Sequence, residues 1–342
     1  MRWDNLKLVD PVRPDRLTAP LFDQGAVVRT FDTPGFRGIT FYEIQAKSII
    51  NRVPEVSRVP FRWTINPYRG CSHSCSYCFA RNTHTYLDFD YGEDFNTQIV
   101  VKVNAEDRLR KELGAKSWRG EHIAMGTNVD PYQRAEGRYR LMRGILSALR
   151  DFENPFSILT KGSLILRDID LLQQCAAVAD VGTNVSVGFV DRELWRAVEP
   201  GTPNPQKRLE VCRTLNEAGI PCGVLMAPIL PFLTDSPRQL AATVQAIADA
   251  GATHVSPIVL HLRTGAREWF MKWLSENHPD LVDRYKRLYP RSAYAPKAYQ
   301  EEIAGRVREL ARQFGVGASG PVNARRIRPE RKPAPGEQLW ML

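Results

Sequence analysis

The chain of 342 residues is long enough to bury about three quarters of the surface that its unfolded form would expose, so it can build a large core. Its apolar and charged fractions are those of a globular protein, and no stretch reaches the roughly 18 uninterrupted apolar residues of a membrane span. The net charge of +9 suits an anionic partner or simply a basic surface, because charge bears on association and not on chemistry.

Residues 1–58 are predicted to form an N-terminal extension that wraps around the core, with short strands near residues 26–31 and 38–44. Prolines interrupt its short apolar segments at Pro11, Pro14, Pro20, Pro34 and Pro54. The first 15 residues lack the apolar segment of a secretory signal, and six cysteines are too few for a disulfide scaffold. We therefore expect a reducing, cytoplasmic location.

From residue 59 onward, extended segments alternate with helical ones. Strands are predicted near residues 61–66, 98–103, 121–127, 155–160, 182–189, 220–227 and 253–260. Helices are predicted near residues 105–113, 137–150, 168–179, 205–218 and 236–250. Alternation of this kind specifies parallel βαβ units with right-handed crossovers. Residues 59–262 are therefore expected to form an α/β core, a partial (β/α)6 TIM-like barrel with its ligands at the carboxyl ends of the strands.

The rest of the chain divides into two predicted regions. Residues 263–320 are expected to be largely helical, and residues 321–342 are expected to form a basic, flexible tail. Basic and aromatic side chains are mixed in the first of these regions. Such a mixture can stack bases and neutralise phosphates, or it can be the solvated face of a helical cap.

Three cysteines follow the apolar segment 59–65 at C-x3-C-x2-C spacing: Cys71, Cys75 and Cys78. Thiolates hold iron–sulfur clusters, and a [4Fe–4S] cluster normally takes four of them. The next cysteine is Cys175, so one iron would keep an open coordination position for an exogenous ligand. Zinc bound by the three cysteines and His73 is one alternative, although one tight loop would struggle to close that tetrahedron. Three incidental buried thiols are the other.

The string N-P-Y-R-G-C-x-H-x-C-x-Y-C-F-A-R, residues 66–81, resembles the signature of the radical S-adenosylmethionine (SAM) enzymes, with Tyr77 as the aromatic residue between cysteines. The whole string is similar to the branch related to spore photoproduct lyase, which is DNA repair photolyase-like. The resemblance implies a barrel of the radical SAM type, a [4Fe–4S] cluster on the three cysteines and SAM chelated to the open iron. It also implies a reductant such as flavodoxin or ferredoxin. No membrane partner is expected, because no stretch is apolar for long enough to span a membrane.

In that family an electron from the reduced cluster cleaves SAM into methionine and a 5′-deoxyadenosyl radical, which abstracts hydrogen from a substrate. The resemblance assigns the SAM amino group to the turn Gly126-Thr127-Asn128, within a G-T-N-x-D-P-Y-Q string similar to the lyase-related branch. Taken alone, this string also fits an Asx turn or a turn that begins at proline. Tyr77 is expected beside the cofactor.

Strand ends and a proline-rich stretch supply the other candidates for SAM binding. Thr160, Lys161 and Ser186 lie at or near strand ends, where they would contact the SAM ribose or carboxylate. Arg208 lies in a stretch that resembles the family pattern E-P-x-x-P-x-P-x-x-R-L and would bind the SAM carboxylate bidentately. A surface arginine paired with Glu210 is the alternative for this position.

The resemblance does not identify the substrate. Spore photoproduct lyase returns hydrogen to its product through a cysteine that follows the cluster motif, whereas this chain has no cysteine between Cys78 and Cys175. Cys175, Cys212 and Cys222 are expected to be buried small hydrophobes. A nucleic acid lesion or a nucleotide is the leading substrate class for a lyase-like radical SAM enzyme. The alternative functions are a zinc-stabilised nucleic-acid-binding protein without catalysis and an iron–sulfur redox or sensor protein.

Overall fold

The structure is a computed structural model that describes residues 25–317 except Val56 and Arg58. The predicted tail at residues 321–342 and the first 24 residues of the predicted extension lie outside this range. The strands are β1 (Val27–Thr30), β2 (Thr40–Ile44), β3 (Ile50–Arg52), β4 (Trp63–Ile65), β5 (Tyr68–Arg69), β6 (Gln98–Lys102), β7 (Ile123–Met125), β8 (Phe156–Thr160), β9 (Val181–Ser186), β10 (Cys222–Ile229) and β11 (Val255–Val259).

The α-helices are α1 (Glu93–Thr97), α2 (Ala105–Leu113), α3 (Glu136–Tyr139), α4 (Leu141–Asp151), α5 (Ile169–Val178), α6 (Arg192–Val198), α7 (Pro205–Glu217), α8 (Pro237–Asp249), α9 (Ala266–Asn277), α10 (Val282–Leu288) and α11 (Lys297–Gln313). Short 3-10 helices cover Arg81–Leu87, Ser163–Asp168 and Pro279–Leu281. Within residues 25–317, no helix is both long and apolar enough to cross a membrane.

Seven strands form the main sheet in the order β11-β10-β9-β8-β7-β4-β3. The six strands from β4 to β11 run parallel to their neighbours, while β3 lies antiparallel to β4 at one edge. In β8 the buried residues alternate along the strand, as expected of a sheet with two different faces. The six parallel strands and the helices between them confirm the predicted α/β class and the partial (β/α)6 TIM-like barrel.

The crossover helices begin and end where local sequence signals predict. α7 starts after Asn204, whose side chain accepts a hydrogen bond from the backbone N–H of Lys207, and α8 starts after Ser236 in the same way. Both have proline at the first helical position, where no N–H is needed. The helix expected over residues 137–150 is divided into α3 and α4 at Arg140, which adopts a positive φ of 52°.

A second sheet has the order β1-β2-β6-β5. Its first two strands confirm the strands predicted near residues 26–31 and 38–44. The extended segment predicted at 98–103 is β6, which pairs in parallel with β2 and therefore belongs to this sheet. Because β5 follows β4 after two residues and directly precedes Gly70, the chain crosses from the main sheet to the second sheet just before the cysteines.

The C-terminal part of the described chain is helical, as predicted. α11 packs against α8 and β11, and α9 buries Phe270 and Leu274 against the core. Tyr285 of α10 donates a hydrogen bond of 2.6 Å to the backbone oxygen of Pro231, which follows β10. These helices therefore cover one end of the main sheet beyond β10 and β11.

Candidate active site

The loop that contains the three cysteines begins immediately after β5, on the side of the main sheet where the parallel strands end. Cys71 and Cys75 are buried, Cys78 is half-buried, and all three are free thiols. Burial raises the pKa of Cys71 well above its ordinary value, with further contributions from the charges of Asp130, Cys78 and Cys75. Burial also raises the pKa of Cys75 to about 12. Burial therefore favours the neutral thiol at Cys71 and at Cys75.

The loop offers three thiols, which is the ligand type that iron–sulfur clusters take. Cys71, Cys75 and Cys78 lie in one loop of eight residues, which backbone hydrogen bonds from Ser74 to Cys71 and from Cys78 to Cys75 close at 3.3 Å each. No three histidine, cysteine, aspartate or glutamate side chains of the described residues lie close enough to hold a single metal ion. The described residues therefore do not assemble the Cys3His set as a single-ion site.

His73, the fourth ligand of the zinc alternative, faces a carboxylate. Its Nδ1 lies 3.4 Å from Oδ2 of Asp130. Asp130 follows β7 and also accepts hydrogen bonds from the Thr160 hydroxyl and the Lys161 backbone N–H, each at 2.6 Å. Burial alone would raise the pKa of Asp130, but His73 and these donors hold it at about 2. Asp130 therefore stays ionised and links the cysteine loop to the ends of β7 and β8.

Gln133 makes a second connection from the same segment to the cysteine loop. Its Oε1 accepts hydrogen bonds from the backbone N–H of Ser72 at 2.9 Å and from the Ser72 hydroxyl at 3.2 Å. Its Nε2 donates to the backbone oxygen of Gly70 at 3.0 Å. The side chain is fully buried. One carboxamide thus holds the residues on both sides of Cys71.

Arg81 anchors the other part of the loop. It is fully buried, and its Nη2 donates to the backbone oxygen of Cys75 and to Oδ1 of Asn96, each at 3.0 Å. The guanidinium also lies 4.6 Å from the ring centre of Trp269 on α9. Burial lowers the pKa of Arg81, and ionisation of Cys78 or Cys75 would oppose that effect.

The turn Gly126-Thr127-Asn128 follows β7, where the resemblance predicts contact with SAM. Gly126 has a φ of +87°, and a Cβ there would lie 1.8 Å from the backbone oxygen of Leu159, so the turn requires glycine. The Thr127 hydroxyl is buried and has no hydrogen-bond partner among the described residues. Asn128 is exposed at the wall of a cavity. The turn therefore offers a close backbone approach and an unused hydroxyl.

Arg208 and Ser186, the other predicted SAM contacts, are joined to each other. Arg208 is 1% exposed, forms an ion pair with the fully buried Glu199, and donates a hydrogen bond of 2.7 Å to the backbone oxygen of Ser186. The Ser186 hydroxyl donates to the backbone oxygen of Ala227 at 2.9 Å. Nε of Arg208 has no partner within the described residues. The alternative expectation was that Arg208 pairs with Glu210. In the structure Glu210 forms its ion pair with Lys207 instead.

Tyr77 joins this group from the cysteine loop, because its hydroxyl donates to the second oxygen of Glu199. Burial would raise the pKa of Glu199, but Arg208, Lys161 and the Tyr77 hydroxyl hold it below its ordinary value. The Lys161 ammonium lies 5.7 Å from the centre of the Tyr77 ring. The structure therefore brings Tyr77, Lys161, Ser186 and Arg208 together around one ionised glutamate.

A cavity of about 410 Å³ opens beside this site. Its wall includes aromatic, polar and charged side chains, namely Phe79, Asn82, Tyr86, Asn128, Arg263 and Thr264. Phe79 and Tyr86 are exposed, and the Arg263 guanidinium lies 5.4 Å from the Phe79 ring centre. None of the residues described along the wall is acidic. The cavity thus presents aromatic rings, amide and hydroxyl groups and one cation.

Sequence reasoning assigned no role to Asp130, Gln133, Glu199 or Arg81. All four stand inside or beside the strings that resemble the family, so their positions were visible in the sequence. Several of their partners are far away along the chain, such as Ser72 for Gln133 and Tyr77 for Glu199. The other three cysteines are buried, as predicted: Cys175, Cys212 and Cys222 are at most 1% exposed. Cys222 opens β10 at its amino end, opposite the strand ends that form the site.

A sequence profile of the radical SAM superfamily matches residues 65–244, which is more than half of the chain. The chain is 47% identical over 338 residues to an uncharacterised protein of Mycobacterium tuberculosis, covering 98% of this chain and 96% of that protein. It is 33% identical over 198 residues to an uncharacterised protein of Methanocaldococcus jannaschii, covering 58% of this chain and 70% of that protein.

Among solved structures, spore photoproduct lyase complexed with dinucleoside spore photoproduct superposes with a TM-score of 0.61 and 14% identity over 90% of this chain and 86% of that chain. A doubly substituted mutant of the lyase with bound AdoMet and the dinucleoside gives a TM-score of 0.56 and 15% identity, over 77% of each chain. At this identity the likeness concerns the fold alone.

Proposed function

Because the chain belongs to the radical SAM superfamily, we propose that it binds a [4Fe–4S] cluster through Cys71, Cys75 and Cys78 and uses SAM to abstract hydrogen from a nucleic acid lesion or a nucleotide. The main support is three free thiols in one held loop, at the ends of parallel strands, with no fourth cysteine nearby. When bound, such a cluster supplies the electron that cleaves SAM, and a reductant such as flavodoxin or ferredoxin supplies that electron to the cluster.

The residues proposed to hold SAM surround the cysteine loop. The turn Gly126-Thr127-Asn128 would receive the amino group, which is supported by the unpartnered Thr127 hydroxyl. Nε of Arg208 is the donor left for the SAM carboxylate, since the other nitrogens of this side chain bind Glu199 and Ser186. Tyr77 and Ser186 would help to orient the ligand by fixing Glu199 and the backbone at Ala227.

The chemistry of the cavity supports a nucleotide as substrate. Exposed aromatic rings such as Phe79 and Tyr86 can stack on a base, and Arg263 can pair with a phosphate. Amide and hydroxyl groups at Asn82, Asn128 and Thr264 can bond to a base edge. The absence of acidic side chains along the described wall avoids repulsion of phosphate.

Anaerobic reconstitution tests the proposed chemistry. The reconstituted protein is expected to be brown and to release 5′-deoxyadenosine from SAM when it is reduced. Replacement of Cys71, Cys75 and Cys78 by alanine is expected to abolish both properties. A colourless protein with one zinc ion would support the non-catalytic alternative, and a coloured protein inert toward SAM would support the redox or sensor alternative. SAM cleavage by the triple variant would show that the ligands are wrongly assigned.

Binding of a fluorescent single-stranded oligonucleotide tests the proposed substrate class. Arg263→Gln and Phe79→Ala are each expected to weaken binding by about tenfold, the typical effect of losing one stacked or charged contact. Arg306→Gln is the matched control, because Arg306 lies on α11 in an exposed ion pair with Glu302. Equal losses in Arg263→Gln and Arg306→Gln would mean that overall charge, and not the cavity, attracts the oligonucleotide.

A further inference from the structure

We propose that Gln133 is a positioning residue for the iron–sulfur ligand Cys71, and that together with Asp130 it forms a clamp that sets this part of the cysteine loop before any cluster binds. The clamp is the pair Asp130 and Gln133, in the segment between β7 and α3. Its value to the reaction rests on the function proposed above, but its effect on loop conformation is a property of the unligated chain.

The contacts of Gln133 bracket a single cysteine. The side chain accepts from Ser72 and donates to Gly70, so the backbone is held on both sides of Cys71. Asp130 holds the next residue, His73, through the contact to its Nδ1. Gly70, Ser72 and His73, which flank Cys71, are therefore all bound to one short segment of the barrel.

A carboxamide is the side chain that suits this position. The Ser72 N–H needs an acceptor and the Gly70 oxygen needs a donor, and an amide offers both from one planar group. An ionised glutamate would offer only acceptors, so its second oxygen would face the Gly70 carbonyl. A methionine of similar length would leave the buried Ser72 N–H and Gly70 oxygen unpaired, which is costly in a site with no exposed surface.

The part of the loop around Cys75 has separate anchors. Arg81 donates to the backbone oxygen of Cys75, and the backbone N–H of Ser76 donates to the oxygen of Val198 at 2.9 Å. Neither contact involves the clamp. Cys71 keeps a hydrogen bond of 2.9 Å from its backbone N–H to the oxygen of Phe95. Loss of Gln133 is therefore expected to loosen Cys71 while Cys75 keeps its place, which is a selective effect and not a general loosening.

A held loop favours assembly of the metal site. A flexible loop would have to order its backbone when the cluster binds, and that ordering would weaken binding. Hydrogen bonds from outside the loop remove part of this cost because the ligand is already near its bound position. The clamp therefore gives a role to the first and last residues of the D-P-Y-Q string, Asp130 and Gln133.

Thiol alkylation of the cluster-free protein tests the clamp without requiring catalysis. Gln133→Glu and Gln133→Met are each expected to raise the alkylation rate of Cys71 relative to Cys75 on the order of tenfold, as measured by mass spectrometry of peptides. Cys175, Cys212 and Cys222 serve as internal standards, because they are buried elsewhere and should stay unreactive. Gln206→Met is the matched control, since the Gln206 side chain is exposed and bonds to the backbone oxygen of Val190 at a long 3.5 Å. An unchanged ratio of Cys71 to Cys75 in both Gln133 variants would overturn the proposal.

A milder variant covers the case in which the Gln133 variants unfold and all six thiols react. Ser72→Ala removes only the hydroxyl bond to Gln133 and is expected to raise the Cys71 to Cys75 ratio about twofold. No change in that ratio would overturn the proposal in this case.

Iron retention supplies the second readout. The reconstituted Gln133 variants are expected to lose iron to a chelator several times faster than the wild type, and Gln206→Met should behave as the wild type. A wild type that binds no cluster while the Cys71 to Cys75 ratio still shifts would reject the proposed function and keep the clamp. Equal iron loss with an unshifted ratio would reject the clamp and leave the proposed function standing.

Discussion

Asp130 is an ionised carboxylate at the point where the cysteine loop meets the ends of β7 and β8. Four groups of the described chain face it: His73, the Thr160 hydroxyl and the backbone N–H groups of Lys161 and Tyr132. These contacts hold the pKa at about 2, against an ordinary value of 3.8. Since the folded-state pKa is lowered, the charged form stabilises the protein above pH 3.8, and this contribution disappears as the pH falls toward 2.

The first prediction follows from that sign. Asp130→Asn is expected to lower the unfolding free energy at neutral pH by about 2 kcal/mol, which is the stability that corresponds to the lowered pKa. Urea denaturation of both proteins at neutral pH and at about pH 3 measures the effect. The difference between wild type and variant should shrink in acid. A constant difference would show that the carboxylate does not titrate in this range.

Gly126 is the second position at which a single residue determines local geometry. Gly126→Ala would place its Cβ against the Leu159 oxygen, so β7 and β8 would have to separate, and we expect a loss of about 3 kcal/mol or more in unfolding free energy. Gly219→Ala is the control: Gly219 has a similar φ of +76° but open space around it. That variant should cost only about 1 kcal/mol, by denaturant titration. Equal costs would contradict the close contact.

Residue identities at the site were predictable only where the motif itself spans the contact. Cys71, Cys75 and Cys78 stand within eight residues, so spacing alone indicated a shared ligand. Gln133 and Ser72 are 61 positions apart, and Tyr77 and Glu199 are 122 apart. Nothing in a local pattern specifies such partners. These residues occur in the strings that resemble the family, but their contacts could be identified only from the fold.

At the scale of elements, α7 is tied to the site by one buried ion pair. Arg208 lies near the start of α7, while Glu199 follows α6 and also receives the Tyr77 hydroxyl. The pair therefore joins the helix, the end of β9 and the cysteine loop. The sequence predicted the start of α7 correctly because its cap is local. It could not predict that Arg208 points inward to a glutamate, since that depends on how the helix packs.

The third prediction concerns this pair. Arg208→Met leaves Glu199 buried without its cation and is expected to cost about 3 to 5 kcal/mol in unfolding free energy. The double variant with Glu199→Gln should recover part of that loss because no buried charge remains. Thermal and urea unfolding of the single and double variants measure the coupling.

The adjacent residue provides the control for that experiment. Lys207 pairs with Glu210 on the exposed face of α7, so Lys207→Met should change stability by about 0.5 kcal/mol or less. Were the Arg208 variant as stable as the Lys207 variant, the ion pair would not be holding the elements together. Arg208 would then be available in full for a ligand.

At the scale of the whole molecule, the cysteine loop follows the point where the chain passes from the main sheet to the second sheet. β4 belongs to the main sheet and β5 to the second one, and Cys71 lies in the same apolar cluster as Phe41, Tyr68, Phe95 and Ile99. Alternating strands and helices predicted the main sheet well, because each βαβ unit is local. The pairing of β6 with β2 was not predictable, since the sequence of an extended segment does not specify which strand it will pair with. The second sheet could be seen only in the fold.

The fourth prediction distinguishes the support that each of the two sheets gives to the cysteine loop. Phe41→Ala and Phe270→Ala each remove a fully buried ring and are expected to cost about 4 kcal/mol. Only Phe41 packs in the cluster that contains Cys71, so only Phe41→Ala should also raise the alkylation of Cys71 relative to Cys75. Identical reactivity profiles in the two variants would mean that the second sheet does not support the loop.

The burial of Cys175, Cys212 and Cys222 has a consequence for the fate of a substrate radical. None of these sulfhydryl groups lies at the carboxyl ends of the parallel strands, and the proposed function assigns the remaining three cysteines to the cluster. Under the proposed function, a carbon-centred radical formed in the cavity would therefore have no protein sulfhydryl from which to take hydrogen. In heavy water, any solvent deuterium found in the product would have to enter through a hydroxyl or another exchangeable group, so isotope tracing would reveal a quenching route different from the one through sulfur.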